Sequence, residues 1–266
     1  METPRICFLH IPKTAGTSIT SVIAKSFERE EICPGRTMLD YKDKEEEELA
    51  KYKFYKGHIY YEFAIEKLPK DTKFVTVLRD PVERVISLYK FWRSHPQNFF
   101  EDPSIPDIIK HGPRMAKDLD FLHFIKSEDN FVVQSTRNAQ LRQLSRKSIG
   151  ARALNQNRKN LNEVIEDIQN YAVVGVQELL PFFAIEYNEY IGSKVIENIP
   201  SKNISKKEGQ FKDLTPHQLR EAKELLIQEN QMEVELYERV RSLIMQRASE
   251  WMSNYLLQGC ASMSQK

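Results

Sequence analysis

Arg5-Ile6-Cys7-Phe8-Leu9-His10, followed by Ile11-Pro12-Lys13-Thr14-Ala15-Gly16-Thr17-Ser18 and then by Ile19, Val22, Ile23 and Phe27 at helical spacing, is the stretch that decides the fold. A short apolar run of this kind reads as a buried strand, and the spaced apolar residues after it read as one face of a helix. Between them lies a loop of small and polar residues. Strand, loop and helix N-terminus together aim backbone N–H groups and the positive end of the helix dipole at one point, which makes an anion site. Lys13 adds a formal charge, and Thr14, Thr17 and Ser18 add hydroxyl donors, so the expected guest is a phosphate. The residues alone also allow a plainer reading, in which Thr17 or Ser18 caps a helix and Lys13 is solvated. Lys13 precedes Gly16 instead of following a glycine, so the loop does not have the G-x-x-x-x-G-K-S/T pattern.

The alternation repeats further along. Phe54–Gly57, Lys73–Leu78 and Tyr171–Val176 read as strands, and Val82, Val85, Ile86 and Tyr89 recur at helix spacing after the second of these. Repeated βα units predict a mainly parallel sheet flanked by helices, with ligands at the carboxyl ends of its strands. The stretch from Asn98 to Lys159 is polar and irregular, with a helix expected at Ala116–Lys126 and a second element at Asn138–Leu144; it reads as a lid or an acceptor-binding region. Thr215-Pro216-His217-Gln218 has the form of a capping box with Pro at the first helical position. One long helix is expected from there, with Leu219, Ala222, Leu226, Leu236, Val240, Ile244 and Trp251 on a single stripe and Gly259 as its stop. The domain is expected to span residues 1–258, and 259–266 to form a flexible tail.

A chain of 266 residues with 41% hydrophobic content can bury one substantial core. Lys and Arg number 39 against 38 Asp and Glu, leaving a net charge of +1 and no broad electrostatic attraction to nucleic acid or anionic membrane. Any anion site must therefore be local. Cys7, Cys33 and Cys260 form no C-x-x-C and no zinc-ligand spacing, which fits a reducing compartment. The opening lacks the apolar length of a signal peptide, and no run approaches the ~20 apolar residues of a membrane span. The expectation is a cytoplasmic protein with no membrane partner. Glu45–Glu48 reads as a solvated helix face or, alternatively, as a docking patch for a cationic acceptor.

The second anion element is Arg79-Asp80-Pro81-Val82-Glu83-Arg84-Val85-Ile86-Ser87. Arg79 follows a strand, where a guanidinium can take a phosphate bidentately, and Pro81 opens a helix that carries Ser87 about 9 Å along its axis. Arg79 and Ser87 can grip one phosphate. Taken alone, the segment also fits surface pairs of Arg79 with Asp80 and Arg84 with Glu83.

Pro12–Ser18 and Arg79–Tyr89 together resemble the sulfotransferases that use 3′-phosphoadenosine 5′-phosphosulfate (PAPS), and within them the branch of the heparan-sulfate 2-O-sulfotransferases and bacterial relatives. The first matches P-K-T-A/G-x-T-S and the second R-D-P-x-x-R-x-x-S-x-Y. Lys56-Gly57-His58-Ile59 matches the branch's G-H-V/I segment. Asn138–Arg142, Val174–Glu178 and Asn203–Ser205 are also similar to it, and the resemblance runs from about Ile6 to Val240.

The resemblance implies a P-loop-like three-layer α/β fold and an in-line transfer of a sulfuryl group from PAPS to an acceptor hydroxyl, leaving 3′-phosphoadenosine 5′-phosphate (PAP). It assigns Lys13, Thr14, Ala15, Gly16, Thr17 and Ser18 to the 5′-phosphosulfate, Arg79 and Ser87 to the 3′-phosphate, and Lys13 to the leaving group. It makes His58 the base, with Glu62 as the second candidate: if Ile59–Phe63 is helical, Glu62 shares a face with His58 and either orients the imidazole or takes the proton itself. Ser205, Lys206 and Lys207 would belong to a late loop closing over the nucleotide. No metal is required in this scheme. The charge balance and the short N-terminus favour a small-molecule acceptor, or an intermediate tethered to a carrier protein, over a long sulfated polysaccharide. The alternatives are a nucleotide or small-molecule kinase, with Asp80 as a magnesium ligand, and a nucleotide-binding module without turnover.

Overall fold

The computed structural model describes residues 3–197, 199 and 214–263, with side chains as far as 257. Four strands form one sheet: β1 (Ile6–Leu9), β2 (Phe54–Gly57), β3 (Lys73–Leu78) and β4 (Val173–Val176). The order across the sheet is β2-β1-β3-β4 and every pairing is parallel, with Leu9 opposite both Gly57 and Thr76, and Leu78 opposite Val176. All four strands fall inside the runs expected from the sequence. They read as mainly apolar stretches, without a strict polar alternation, because helices cover both faces of the sheet.

Alternation along each strand then sorts the core into two layers. Ile6 and Phe8 of β1 join Phe54, Val75, Val77 and the Gly16–Ile23 and Leu180–Ile191 helices on one face. Cys7 and Leu9 join Tyr55, Leu78 and Val176 on the other, against the Arg158–Gln169 and Gln231–Met263 helices. A third cluster lies apart, under the Pro81–Arg93 helix, and contains Val82, Val85, Phe121, Phe124, Ala222 and Leu226.

Three expectations about helices are corrected. Ala116–Lys126 is not one helix: the chain breaks at Leu119, and Asp120 caps a new helix, Phe121–Lys126, by accepting from the His123 N–H at 2.9 Å. The single C-terminal helix is two, Pro216–Glu229 and Gln231–Met263, parted at the buried Asn230. Its side chain donates to the Leu226 carbonyl (2.8 Å) and accepts from the Asn138 N–H (2.6 Å), so a local polar bond replaces the helical continuation. Ala222 and Leu226 thus serve the third cluster while Leu236, Val240 and Ile244 serve the sheet. The expected capping box at Thr215 and Gln218 is formed. The last helix also runs through Gly259 to Met263, since one interior glycine costs only ~1 kcal/mol against alanine. No helix among the described residues is long and apolar enough to cross a membrane. Glu45, Glu46 and Glu47 are exposed and Glu48 pairs with Lys44, as a solvated face requires.

Candidate active site

The strand order decides what can meet. Because β1 lies between β2 and β3, the segments that follow these three strands emerge side by side, about 4.8 Å apart per strand. They carry His58, Lys13 and Arg79.

The loop after β1 is held by its own residues. Lys13 and Ala15 both adopt left-handed backbone, with φ of 73° and 64°, which is uncommon for residues with a side chain and costs energy that the surroundings must offset. Thr14 is buried and its hydroxyl donates to the Ile11 carbonyl at 2.9 Å, closing the turn. That hydroxyl is expected on the phosphosulfate, but it is engaged within the loop. Ala15 is the N-cap of the Gly16–Ile23 helix and supplies no side-chain cap, so the reading in which Thr17 or Ser18 caps this helix does not hold. Backbone N–H groups at the start of the helix are what the loop offers to an anion. Thr17 is exposed beside them, and Ser18 is buried. Gly16 is required sterically, because a Cβ there would lie 1.8 Å from Cδ2 of His10.

Lys13 is half-buried, and its Nζ lies 4.0 Å over the Phe91 ring. Burial, with the Arg79 charge adding, holds its ammonium down to about 8. The guanidinium of Arg79 donates to the Lys13 carbonyl at 3.1 Å, so the two anion motifs are in direct contact.

His58 follows β2 through Gly57, whose φ of 139° and approach to the Arg36 carbonyl leave no room for a Cβ. The His58 Nδ1 is 2.9 Å from the His10 carbonyl oxygen. A carbonyl can only accept, so Nδ1 carries the proton and Nε2 keeps its lone pair, the tautomer a base needs. Although one side of the ring meets solvent, the surrounding protein disfavours its charged form, while the bond to His10 opposes that shift. The His10 ring lies 4.5 Å from the His58 ring, tilted against it, and is pushed down to about 3 by burial and by the charges of His58 and Lys13. Gln143 completes this side, donating to the carbonyls of His10 (3.1 Å) and Ile59 (3.0 Å).

Glu62 is not brought onto a helix face with His58. Tyr60 is extended and the helix begins at Tyr61, so Glu62 sits in a first turn where a carboxylate complements the dipole.

Arg79 is braced from far along the chain. Gln140 accepts from its N–H (3.0 Å) and donates to its carbonyl (2.8 Å). Glu233 in turn accepts from the Gln140 backbone N–H (2.8 Å) and side-chain amide (3.0 Å), and lies 3.6 Å from the fully buried Arg84. Arg84 therefore pairs with Glu233 and not with Glu83. The Asp80 carboxylate accepts from the Glu83 N–H at 2.8 Å as a helix cap, which accounts for it without a magnesium ion. Ser87 is half-buried on the Pro81–Arg93 helix. Lys90, three residues on, lies within electrostatic reach of Arg79, and burial together with that charge holds its ammonium below the usual range. Ser205, Lys206 and Lys207 lie outside the described residues.

Gln140, Gln143 and Glu233 carry no role in the sequence motifs, although Asn138–Arg142 stands out as a stretch. Their significance is their pairing across the chain, which spacing does not display.

The sulfotransferase family model matches residues 1–238. The chain belongs to the sulfotransferase family. A protein-tyrosine sulfotransferase of Arabidopsis thaliana is 30% identical over 113 residues, an alignment covering 41% of this chain and 22% of that protein's length. The crystal structure of a mouse sulfotransferase, SULT7A1, complexed with PAP is similar at 16% identity over 86% of this chain and 85% of that one, with a TM-score of 0.33.

Proposed function

We propose that this sulfotransferase moves a sulfuryl group from PAPS to an acceptor hydroxyl by in-line displacement. The observation that carries the reading is the contact between the two anion motifs through the Arg79 guanidinium and the Lys13 carbonyl. A donor with phosphates at both its 5′ and 3′ positions needs two cationic grips at a fixed separation, and these are two such grips. In this reading the Lys13 ammonium and the N–H groups of Gly16 and Thr17 meet the charge that develops on the leaving phosphate. Arg79 and Ser87 take the 3′-phosphate, with Lys90 adding charge. His58, its Nδ1–H engaged by the His10 carbonyl, takes the acceptor proton at Nε2. Thr14 acts by shaping the loop, and Glu62 has no part in the proton transfer. The acceptor is a small molecule or a carrier-tethered group, in the cytoplasm, a placement that the free buried thiols of Cys7 and Cys33 support.

The test is calorimetric. PAP should bind the purified protein, and its absence from the titration would sink the reading. Arg79→Ala should weaken PAP about 10- to 100-fold, the size of charge-assisted hydrogen bonds to a phosphate, while leaving adenosine 5′-phosphate nearly unaffected. Equal losses for the two nucleotides would remove Arg79 from the 3′-phosphate.

A further inference from the structure

We propose that the rings of Phe91, His95, Phe99 and Phe100 form the acceptor subsite and that the acceptor they hold is a phenol. The inference rests on the reading above, in which Lys13 attends the transferred group.

Phe91 is the link. The apolar residues before it on the Pro81–Arg93 helix are buried: Val85 is 0% and Leu88 4% exposed, whereas Phe91 is 48% exposed with the Lys13 ammonium over its face. With the transferred group at the Lys13 ammonium, Phe91 is an exposed apolar surface next to it, on which an acceptor's body can rest. From Phe91 the aromatic surface continues: His95 is 4.9 Å away edge-on, Phe99 is 4.1 Å from His95, and Phe100 is 5.3 Å from Phe99, also edge-on. The His95 ring is fixed, because its Nδ1 lies 3.0 Å from the carbonyls of both Phe91 and Trp92 and must donate to them. These are near the separations and tilts of aromatic pairs, so the strip is preorganised for a flat π system more than for a flexible saturated chain.

The chemistry of the base points the same way. His58 sits where its protonated form is disfavoured, so it is a weak base. A phenolic hydroxyl titrates near 10, whereas an alkyl alcohol is a far weaker acid, and general-base transfer is easiest when the two partners are closest in acidity. The phenol can be a free small molecule or a tyrosyl side chain.

The experiment uses the protein with PAP or PAPS and four probes: 2-naphthol, its saturated analogue decahydro-2-naphthol, a short tyrosine-containing peptide, and the same peptide with serine. Each phenol should be sulfated with a kcat/KM at least about tenfold above that of its aliphatic counterpart, and the better of the two phenols identifies the source. Phe91→Ala and Phe91→Leu should each raise KM for 2-naphthol about tenfold, one stacking contact's worth, with PAP affinity within about twofold of the parent. Equal use of saturated and phenolic acceptors, or full retention of KM in Phe91→Leu, would overturn the phenol assignment while leaving the donor reading intact. Loss of PAP binding in the parent protein would instead overturn the donor reading. Should PAP bind without transfer to any probe, saturable quenching of 2-naphthol fluorescence by the protein–PAP complex, lost in Phe91→Ala, upholds the subsite, and no saturable quenching rejects it.

Discussion

The two anion loops solve the same problem by opposite means. The Lys13 loop is local: its turn closes on the Thr14–Ile11 bond, its backbone takes the left-handed region twice, and its helix starts without a side-chain cap. The Arg79 loop is unstrained, with an Asp80 cap and Pro81 at the first helical position, and its support comes through Gln140, 61 residues away, and Glu233, a further 93 residues along. One loop spends backbone strain to present N–H groups; the other relies on a buried polar network to hold one guanidinium. Damage to the first should therefore appear in chemistry, and damage to the brace of the second should appear in folding.

The largest effect is expected at the brace. Glu233→Ala leaves Arg84 charged and buried without its partner, which costs about 3–5 kcal/mol, read as a lowered midpoint in urea. A loss under about 1 kcal/mol would mean that Arg84 finds water on its own, and that the contrast between the loops is false. Next comes Lys13→Ala, expected to lower kcat by about 10²- to 10³-fold with an unchanged urea midpoint, since half-buried Lys13 makes no ion pair among the described residues. A stability loss matching that of Glu233→Ala would show that the first loop also carries the fold.

The smallest effect is on pH. Lys13 is held down to about 8, so its ammonium is lost as pH rises through that value, and kcat/KM, which reports the free enzyme, should fall there. Lys13→Arg should move this limb to higher pH. His58 is depressed, so it is neutral above its lowered value, and the acid limb should lie below 6.5. A profile flat from 7 to 9.5 would detach Lys13 from catalysis.

The same contrast explains what the sequence disclosed. The four strands were legible because burial on both faces leaves each of them mainly apolar, and the motifs were legible because each is contiguous. The break at Asn230 was not, since the stripe from Leu219 to Trp251 fits an unbroken helix, and only the packing shows its halves serving different cores. The base pairing of His58 was half legible: the Gly57-His58 segment pointed to it, but the proton on Nδ1 is set by a carbonyl 48 residues earlier in the chain. The expected Glu62 partnership failed on one extended residue, Tyr60. Gln140 and Gln143 were invisible in role because each matters only through groups that it meets across the fold.

The position of β1 between β2 and β3 has a consequence for how this protein can change. The strands that lead to the proposed base, leaving-group lysine and phosphate arginine are neighbours at one backbone hydrogen-bond spacing, a length that side-chain substitution in the core does not alter. Stability can drift as the two apolar layers are rewritten while the strands that lead to the proposed reacting groups keep their intervals, so that the spacing of the proposed site is inherited from the sheet and the loops are left to choose the substrate.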